Sequence, residues 1–493
     1  MDLTTFLDWF TSNGGFINPL AELHHSDGYH LRVKLDGKSI VPDEDESASK
    51  IIFCPHKLTI SFLNARKSLL LQRLKGKGFS QTIVLRLFLI EQHLLGTQSF
   101  WYPYIKCLPS PECKRGFHTP MWWEADELAW LKGTNLGRAA AEREKGWQNE
   151  FHSALKILRN QNEQKTWDKW TWDLYLWAAT MLSSRSFTAS ALSDPTIDSP
   201  VLIPGLDMLN HSESAKVDWE FGSDGSIIKT EEVIEAGKEI FNNYGPKSNA
   251  ELIIGYGFCK SDTGGDTIDL GFNAATSKAI RSLREQRHIS ESDDSWDGVE
   301  QHCVYFDSSR PSPTAESTKK VGSRMAHTYS PRFLENFSIA VENKRERDRG
   351  GFIWARFQDS FKVGSEDLCR NKLHVVTAIY MLLENTVSSI LENTTTLQDP
   401  NSITPSSRYR YQLASTYRSG QLAILTGVLI ELRGMLQPLL NDQSLILRLD
   451  YTLNDGPKAL RKDFRSLIHV ALGSRDPVKI QERGGEECAF ALW

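Results

Sequence analysis

Residues 201–258 constrain this chain more than any other stretch, because two polar-aromatic clusters flank a strand pair there. The stretch opens with PGLDMLNHS, which ends on Asn210, His211 and Ser212. Two short runs follow, Val217–Phe221 and Ile227–Glu231, and they read as strands with a glycine turn between them. The stretch closes with NNYGPKSNAELIIGYGF, which carries Tyr244, Tyr256 and Phe258. A strand pair in the middle folds the two ends back, so both clusters are expected to line one pocket.

Composition narrows the classes around that stretch. At 493 residues the chain is long for one core, and two or three units are expected. Hydrophobic content of 40% and charged content of 24% fit a globular protein. A net charge of −5 provides no positive field for nucleic acid or an anionic membrane. No apolar run approaches the ~20 residues that span a bilayer. The start, MDLTTFLDWFTSNGGF, lacks a basic region, so an amphipathic helix is expected there rather than a secretory signal. The cysteines, at 54, 107, 113, 259, 303, 369 and 488, form no CxxC pair, which suits reduced thiols in the cytoplasm or nucleus. No phosphate loop, paired-carboxylate site, Ser-His-Asp arrangement, metal-ligand spacing or nucleic-acid module is evident. His56 and His93 stand isolated and read as packing histidines, and His152 lacks ligand spacing.

The order NHS, then YG, then YGF resembles the second half of a SET domain, the S-adenosylmethionine-dependent protein methyltransferase fold. More narrowly it resembles the Rubisco large-subunit methyltransferase-like class, which includes fungal ribosomal-protein lysine methyltransferases. Further motifs match that class: LKGTNL at 131–136, Ser-Arg-x-Phe at 184–187 and YRSGQLAIL at 417–425. The resemblance implies an α+β chain, with a SET fold of small β-sheets and a helical insert, then an all-α C-terminal substrate-binding domain. The expected divisions are 1–75 and 201–265 for the two SET parts, 76–200 for the insert, and 266–493 for the helical domain. A low-complexity loop is expected near 307–324. Cys259 stands alone in the stretch just after Phe258, so the cysteine-rich zinc lid of many histone-directed SET enzymes is not expected.

Along the chain, helices are expected over 2–11, 80–95, 124–137, 138–161, 167–187, 368–392 and 409–441. Residues 54–65 read as a strand leading into a helix, and 188–200 as a surface loop. No internal repeat stands out.

The resemblance also implies site roles. Gly28 falls in the first cofactor loop, although Tyr29 and His30 stand where small or apolar residues are usual in the class. Arg185 and Phe187 match the Ser-Arg-x-Phe segment that contacts cofactor and substrate lysine, while Ala189 stands where a further arginine is sometimes found. Asn210 and His211 would hold the amino-acid end and adenine of S-adenosylmethionine. Asp207 matches a position on the substrate side, with helix capping as its other reading. Tyr244 is the expected catalytic residue, also touching cofactor; Tyr256 would line the lysine channel, and Phe258 would stack on the cofactor. Trp219 stands near a channel position and reads as a strand residue facing the core.

The implied activity is protein-lysine N-methylation of a non-histone protein, with a ribosomal or translation protein as the first candidate. The expected state is a monomer with no metal, nucleic-acid or membrane partner. Two alternatives stay open: histidine methylation within the same class, and an inactive SET-like binding protein.

Overall fold

The computed structural model describes residues 3–440 apart from 26–27, 43–48, 69, 71–73, 75, 162–166, 193, 262–265, 271–273, 288–301, 306–330, 349–369, 394–402 and 406, together with 462. The loop expected near 307–324 lies outside the described residues. The chain divides into two units: Met1–Glu124, Arg138–Lys247 and Glu251–Phe258 form the first; Ala125–Gly137, Ser248–Ala250 and Cys259–Trp493 form the second.

The first unit begins with helix α1 (Leu3–Ser12), whose Phe6 and Phe10 are fully buried and stack with ring centroids 5.5 Å apart. A four-stranded antiparallel sheet carries its core, in the order β1 (Phe16–Ile17), β4 (Lys50–Pro55), β8 (Gly225–Thr230), β7 (Val217–Phe221). Cys54 pairs with Ser226 across β4 and β8, and Phe221 pairs with Ser226 across β7 and β8. A separate hairpin joins β2 (Ala21–His25) to β3 (Tyr29–Val33), with Leu23 opposite Leu31. β3 is tied to residues 238–240, because Val33 donates to the Lys238 carbonyl and Ile240 to that of Leu31. A short ladder pairs β5 (Ser186–Phe187) with β6 (Val201–Leu202).

Helix α2 (Gln81–Leu95) is apolar around much of its circumference and buries Val84, Leu85, Leu87, Phe88, Leu89 and Ile90. The Ser80 hydroxyl accepts the Ile83 amide at its start, and Gly96 at φ +54° ends it. The one-turn helix α3 (Tyr102–Ile105) buries Tyr104 and Ile105. Helix α4 (Asn135–Gln161) starts earlier than the sequence suggested, and the segment before it is not one helix but two short turns, Ala125–Leu128 and Ala129–Leu131. Gly133, at φ +82°, makes the turn, whereas Gly137 is helical and lies against Leu131, whose carbonyl would sit 2.5 Å from an added Cβ. Helix α5 (Trp172–Arg185) also starts later than expected. Thr171 accepts the Leu174 amide as its cap, leaving Trp167 and Trp170 in a turn where their rings contact each other. Helix α6 (Asn249–Tyr256) ends the stretch, and the amide of Gly257 donates to the Leu252 and Ile253 carbonyls.

The second unit pairs β9 (Thr267–Leu270) with β10 (His302–Tyr305) and adds helices α7 (Ala274–Gln286), α8 (Pro331–Val341), α9 (Arg370–Glu392) and α10 (Arg408–Leu440). Helix α9 packs against both α8 and α10. Its His374–Glu392 portion is long and apolar enough to cross a membrane by length and composition, more than the sequence reading allowed for. The fold uses it as a core helix, with Val375, Val376, Ala378, Ile379 and Leu383 fully buried. Within this unit, Arg410 and Glu127 form a fully buried ion pair at 2.5 Å. Arg418, from the YRSGQ motif, donates to the carbonyls of Trp130, Lys132 and Ile390, and Gln421 donates to that of Thr267.

Candidate active site

The NHS segment and the NNYG segment meet as neighbouring strands. His211 and Asn242 form a parallel bridge; the Asn242 amide donates to the Asn210 carbonyl at 2.7 Å, and Ser212 donates to that of Asn242 at 2.9 Å. These backbone bonds fix the side chains around them. The His211 ring stacks on Tyr244 with centroids 5.0 Å apart, and its Nδ1 accepts the Tyr244 backbone amide at 3.1 Å. That bond makes Nδ1 the unprotonated nitrogen of a neutral ring. Tyr244 stacks in turn on Tyr256 at 5.0 Å, and Phe258 lies 6.1 Å from Tyr256 and 6.2 Å from His211. Four rings from three motif fragments therefore form one aromatic cluster.

The Tyr244 hydroxyl donates to the Leu209 carbonyl at 2.7 Å. Desolvation pushes its pKa well above the usual tyrosine value, with the Arg185 charge opposing the shift and Tyr256 and Asp207 adding to it. It is therefore a neutral donor at physiological pH. Arg185, the last residue of α5, donates to the Asp207 backbone oxygen at 3.0 Å. Asp207 lies on a 3₁₀ turn, Leu206–Met208, entered through Gly205 at φ +88°, and its carboxylate accepts the Tyr104 hydroxyl at 2.6 Å. Burial raises its pKa from 3.8 to about 6, against the lowering effects of Arg185 and Tyr104. The Asn210 side chain is exposed, and its amide donates to Glu239 at 2.7 Å.

Gly28 stands in the exposed bend ahead of β3, at φ +102°, with nothing within 4 Å of the position an added Cβ would take. It belongs to the hairpin that β3 ties to residues 238–240, beside the partner of Asn210. Trp219 differs from the sequence expectation: it is 38% exposed, not core-facing, and its indole N–H donates to Asn242 at 3.0 Å. Its ring contacts Phe187 edge-on at 5.7 Å, and with Tyr244, Asn243 and Pro246 it lines a cavity of about 780 Å³. Among the described residues no group of three His, Cys, Asp or Glu side chains could hold a metal ion.

The crystal structure of the SET domain of LSMT bound to lysine and AdoHcy superposes with a TM-score of 0.62 at 18% identity, covering 93% of this chain and 97% of that one. The structure of Rubisco LSMT bound to sinefungin and monomethyllysine gives the same TM-score at 19% identity, with the same coverage. This chain has the SET-domain fold.

Sequence relatives point to the same class. The ribosomal lysine N-methyltransferase set10 of Schizosaccharomyces pombe is 35% identical over 234 residues, 47% of this chain and 40% of that protein. The N-lysine methyltransferase SETD6 of Mus musculus is 26% identical over 265 residues, 51% and 54% of the two chains. The actin-histidine N-methyltransferase of Homo sapiens is 24% identical over 292 residues, 57% and 46%. The SET chain thus spans about half the length of the curated relatives it matches. No protein-family model matches it.

Of the residues expected at the site, Arg185, Asp207, Asn210, His211, Tyr244, Tyr256 and Phe258 are brought together, all inside the first unit. Asp207 joins them as a buried carboxylate, through its backbone oxygen on Arg185. Sequence reasoning missed Tyr104 and Glu239. Tyr104 lies in an aromatic and proline-rich segment with no periodicity to mark it. Glu239 carried one signal, its place just before the FNNYG segment that the NHS segment pairs with.

Proposed function

We propose that this chain is an S-adenosylmethionine-dependent protein-lysine N-methyltransferase. The supporting observation is the Tyr244 hydroxyl, held on the Leu209 carbonyl inside an aromatic cluster and within the electrostatic reach of Arg185. The donor set suits the cofactor: the exposed Asn210 amide and the open backbone at Gly28 for its amino-acid end, and Phe258 with His211 for its adenine. When bound, S-adenosylmethionine supplies an electrophilic methyl group on a sulfonium.

The chain's own residues then have to present a neutral amine in line with that methyl. A lysine has a reference pKa of ~10.4, and an aromatic channel lowers it by desolvating the ammonium. Tyr256 and Tyr244 provide such walls. The Tyr244 hydroxyl, kept protonated by its raised pKa, orients polar groups by hydrogen bonding and does not act as a tyrosinate base. Arg185, anchored on the Asp207 backbone oxygen, places a positive charge within reach of Tyr244 that discourages a second cation from settling there.

The substrate is a protein, and the name of the fission-yeast relative favours a ribosomal one. Action in the cytoplasm or nucleus, as a monomer, completes the reading, and the SET parts, insert and helical domain keep the divisions given above. The test is incubation of the purified chain with labelled S-adenosylmethionine and cell extract, with the modified residue mapped by mass spectrometry. Label on a lysine of a ribosomal protein supports the reading in full. Label on histidine would overturn the acceptor, and cofactor binding without transfer to any protein would favour a binding protein.

A further inference from the structure

Tyr104 is fully buried on α3, 103 positions from Asp207 in sequence, and its hydroxyl donates to that carboxylate at 2.6 Å. The Asp207 turn does two further things. Its backbone oxygen at 207 accepts the Arg185 guanidinium at 3.0 Å, and the carbonyl of Leu209 accepts the Tyr244 hydroxyl at 2.7 Å. The turn is entered through a left-handed glycine, Gly205. The side-chain bond from Tyr104 is therefore a lateral anchor for a short segment bearing both polar contacts.

We propose that Tyr104 is a positioning residue for methyl transfer: through Asp207 it holds the Leu206–Leu209 turn that sets the Tyr244 hydroxyl and the Arg185 guanidinium. The proposal rests on the methyltransferase reading. A hydrogen bond to a buried carboxylate is charge-assisted and short, so it fixes the turn more tightly than a neutral contact would. Removing the Tyr104 hydroxyl favours the protonated carboxyl, which then grips the turn less and changes the field at Arg185.

Other charged or titratable groups around Asp207 leave that role to Tyr104. Cys54 of β4 and Cys107 after α3 lie close enough to feel the carboxylate, and burial raises both thiols, so they stay neutral. Tyr244 is likewise neutral. Arg185 is bound to the backbone oxygen. On β3, which packs beside the turn, Arg32 is paired with Glu22, and His30 and Tyr29 contact His24 and His25 across the hairpin. On β4, Lys50 lies over the Phe16 and Phe53 rings.

The experiment compares the full chain with Tyr104→Phe, Asp207→Asn and the double variant. Turnover and KM for S-adenosylmethionine are measured across pH on the substrate found by labelling, with thermal melting alongside. Tyr104→Phe is expected to lower kcat about tenfold with cofactor KM within about twofold, and to move the acid limb of kcat up by about one pH unit. The double variant is expected to match Tyr104→Phe in kcat, because once the phenol hydroxyl is gone the side chain at 207 has lost its anchor in either form. Tyr104→Phe with wild-type kcat and pH profile would overturn the proposal. If that variant does not fold, the pH profile of Asp207→Asn decides: an acid limb unmoved from the wild type there overturns it equally. A wild-type chain that labels no protein would remove the methyltransferase reading and this role with it, an outcome distinct from an active wild type with an indifferent Tyr104→Phe.

Discussion

Replacing Asp207 by asparagine isolates the free energy of holding a carboxylate inside the first unit. Burial carries this group from 3.8 up to about 6, so between those values the folded chain holds a proton that the unfolded chain has released. Stability from this group is therefore greatest at low pH. It falls as pH rises from about 4 through about 6, and stays lower above. Two pKa units at ~1.4 kcal/mol each give about 3 kcal/mol in full, of which about 2 kcal/mol falls between about pH 4.5 and about pH 7.5. Asparagine does not titrate and still offers an oxygen to the Tyr104 hydroxyl. The stability of Asp207→Asn minus that of the wild type should thus grow by about 2 kcal/mol across that range. Urea unfolding followed by tryptophan fluorescence at several pH values measures it, and taking the difference cancels the other carboxylates. A difference constant to within about 0.5 kcal/mol would refute the buried-carboxylate argument.

Three further outcomes are expected. Tyr244→Phe removes the donor to Leu209 and should lower kcat by about a hundredfold or more while cofactor affinity stays near normal; near-normal turnover would sink its role. Asn210→Ala should weaken S-adenosylmethionine binding about tenfold, read by calorimetry, and unchanged affinity would argue against a cofactor contact. Gly257→Ala places a Cβ 3.0 Å from the His118 backbone at φ +81°, so about 1–3 kcal/mol of destabilisation is expected, and an unaltered melting temperature would contradict it.

The fold and the central cluster were legible because short motifs carry them. The NHS and NNYG fragments are each built for a specific backbone pairing, and that pairing alone brings His211 against Tyr244. Gly257 shows the same economy: the glycine of YGF caps α6 where the chain passes against His118 and Thr119. Tyr104 was not legible, because one side-chain bond across 103 positions leaves no local pattern. Helix boundaries failed for a related reason. The true start of α5 depends on the Thr171 cap, which competes with an apolar run that continues on either side of it. The expected boundary between helices at 137 and 138 fell on Gly137, and a glycine chosen for close approach to Leu131 looks in sequence like one chosen to end a helix.

The Arg410–Glu127 pair has a consequence for synthesis on the ribosome. The partners lie 283 positions apart. At roughly 5–20 residues per second, Glu127 emerges roughly 14 to 57 seconds before Arg410 exists. During that interval residues 125–137 lack the helix that will hold them, so this short segment has to stay hydrated or be sheltered by a chaperone. Slowing translation after Phe258 should lengthen the time for which this segment remains open to proteases.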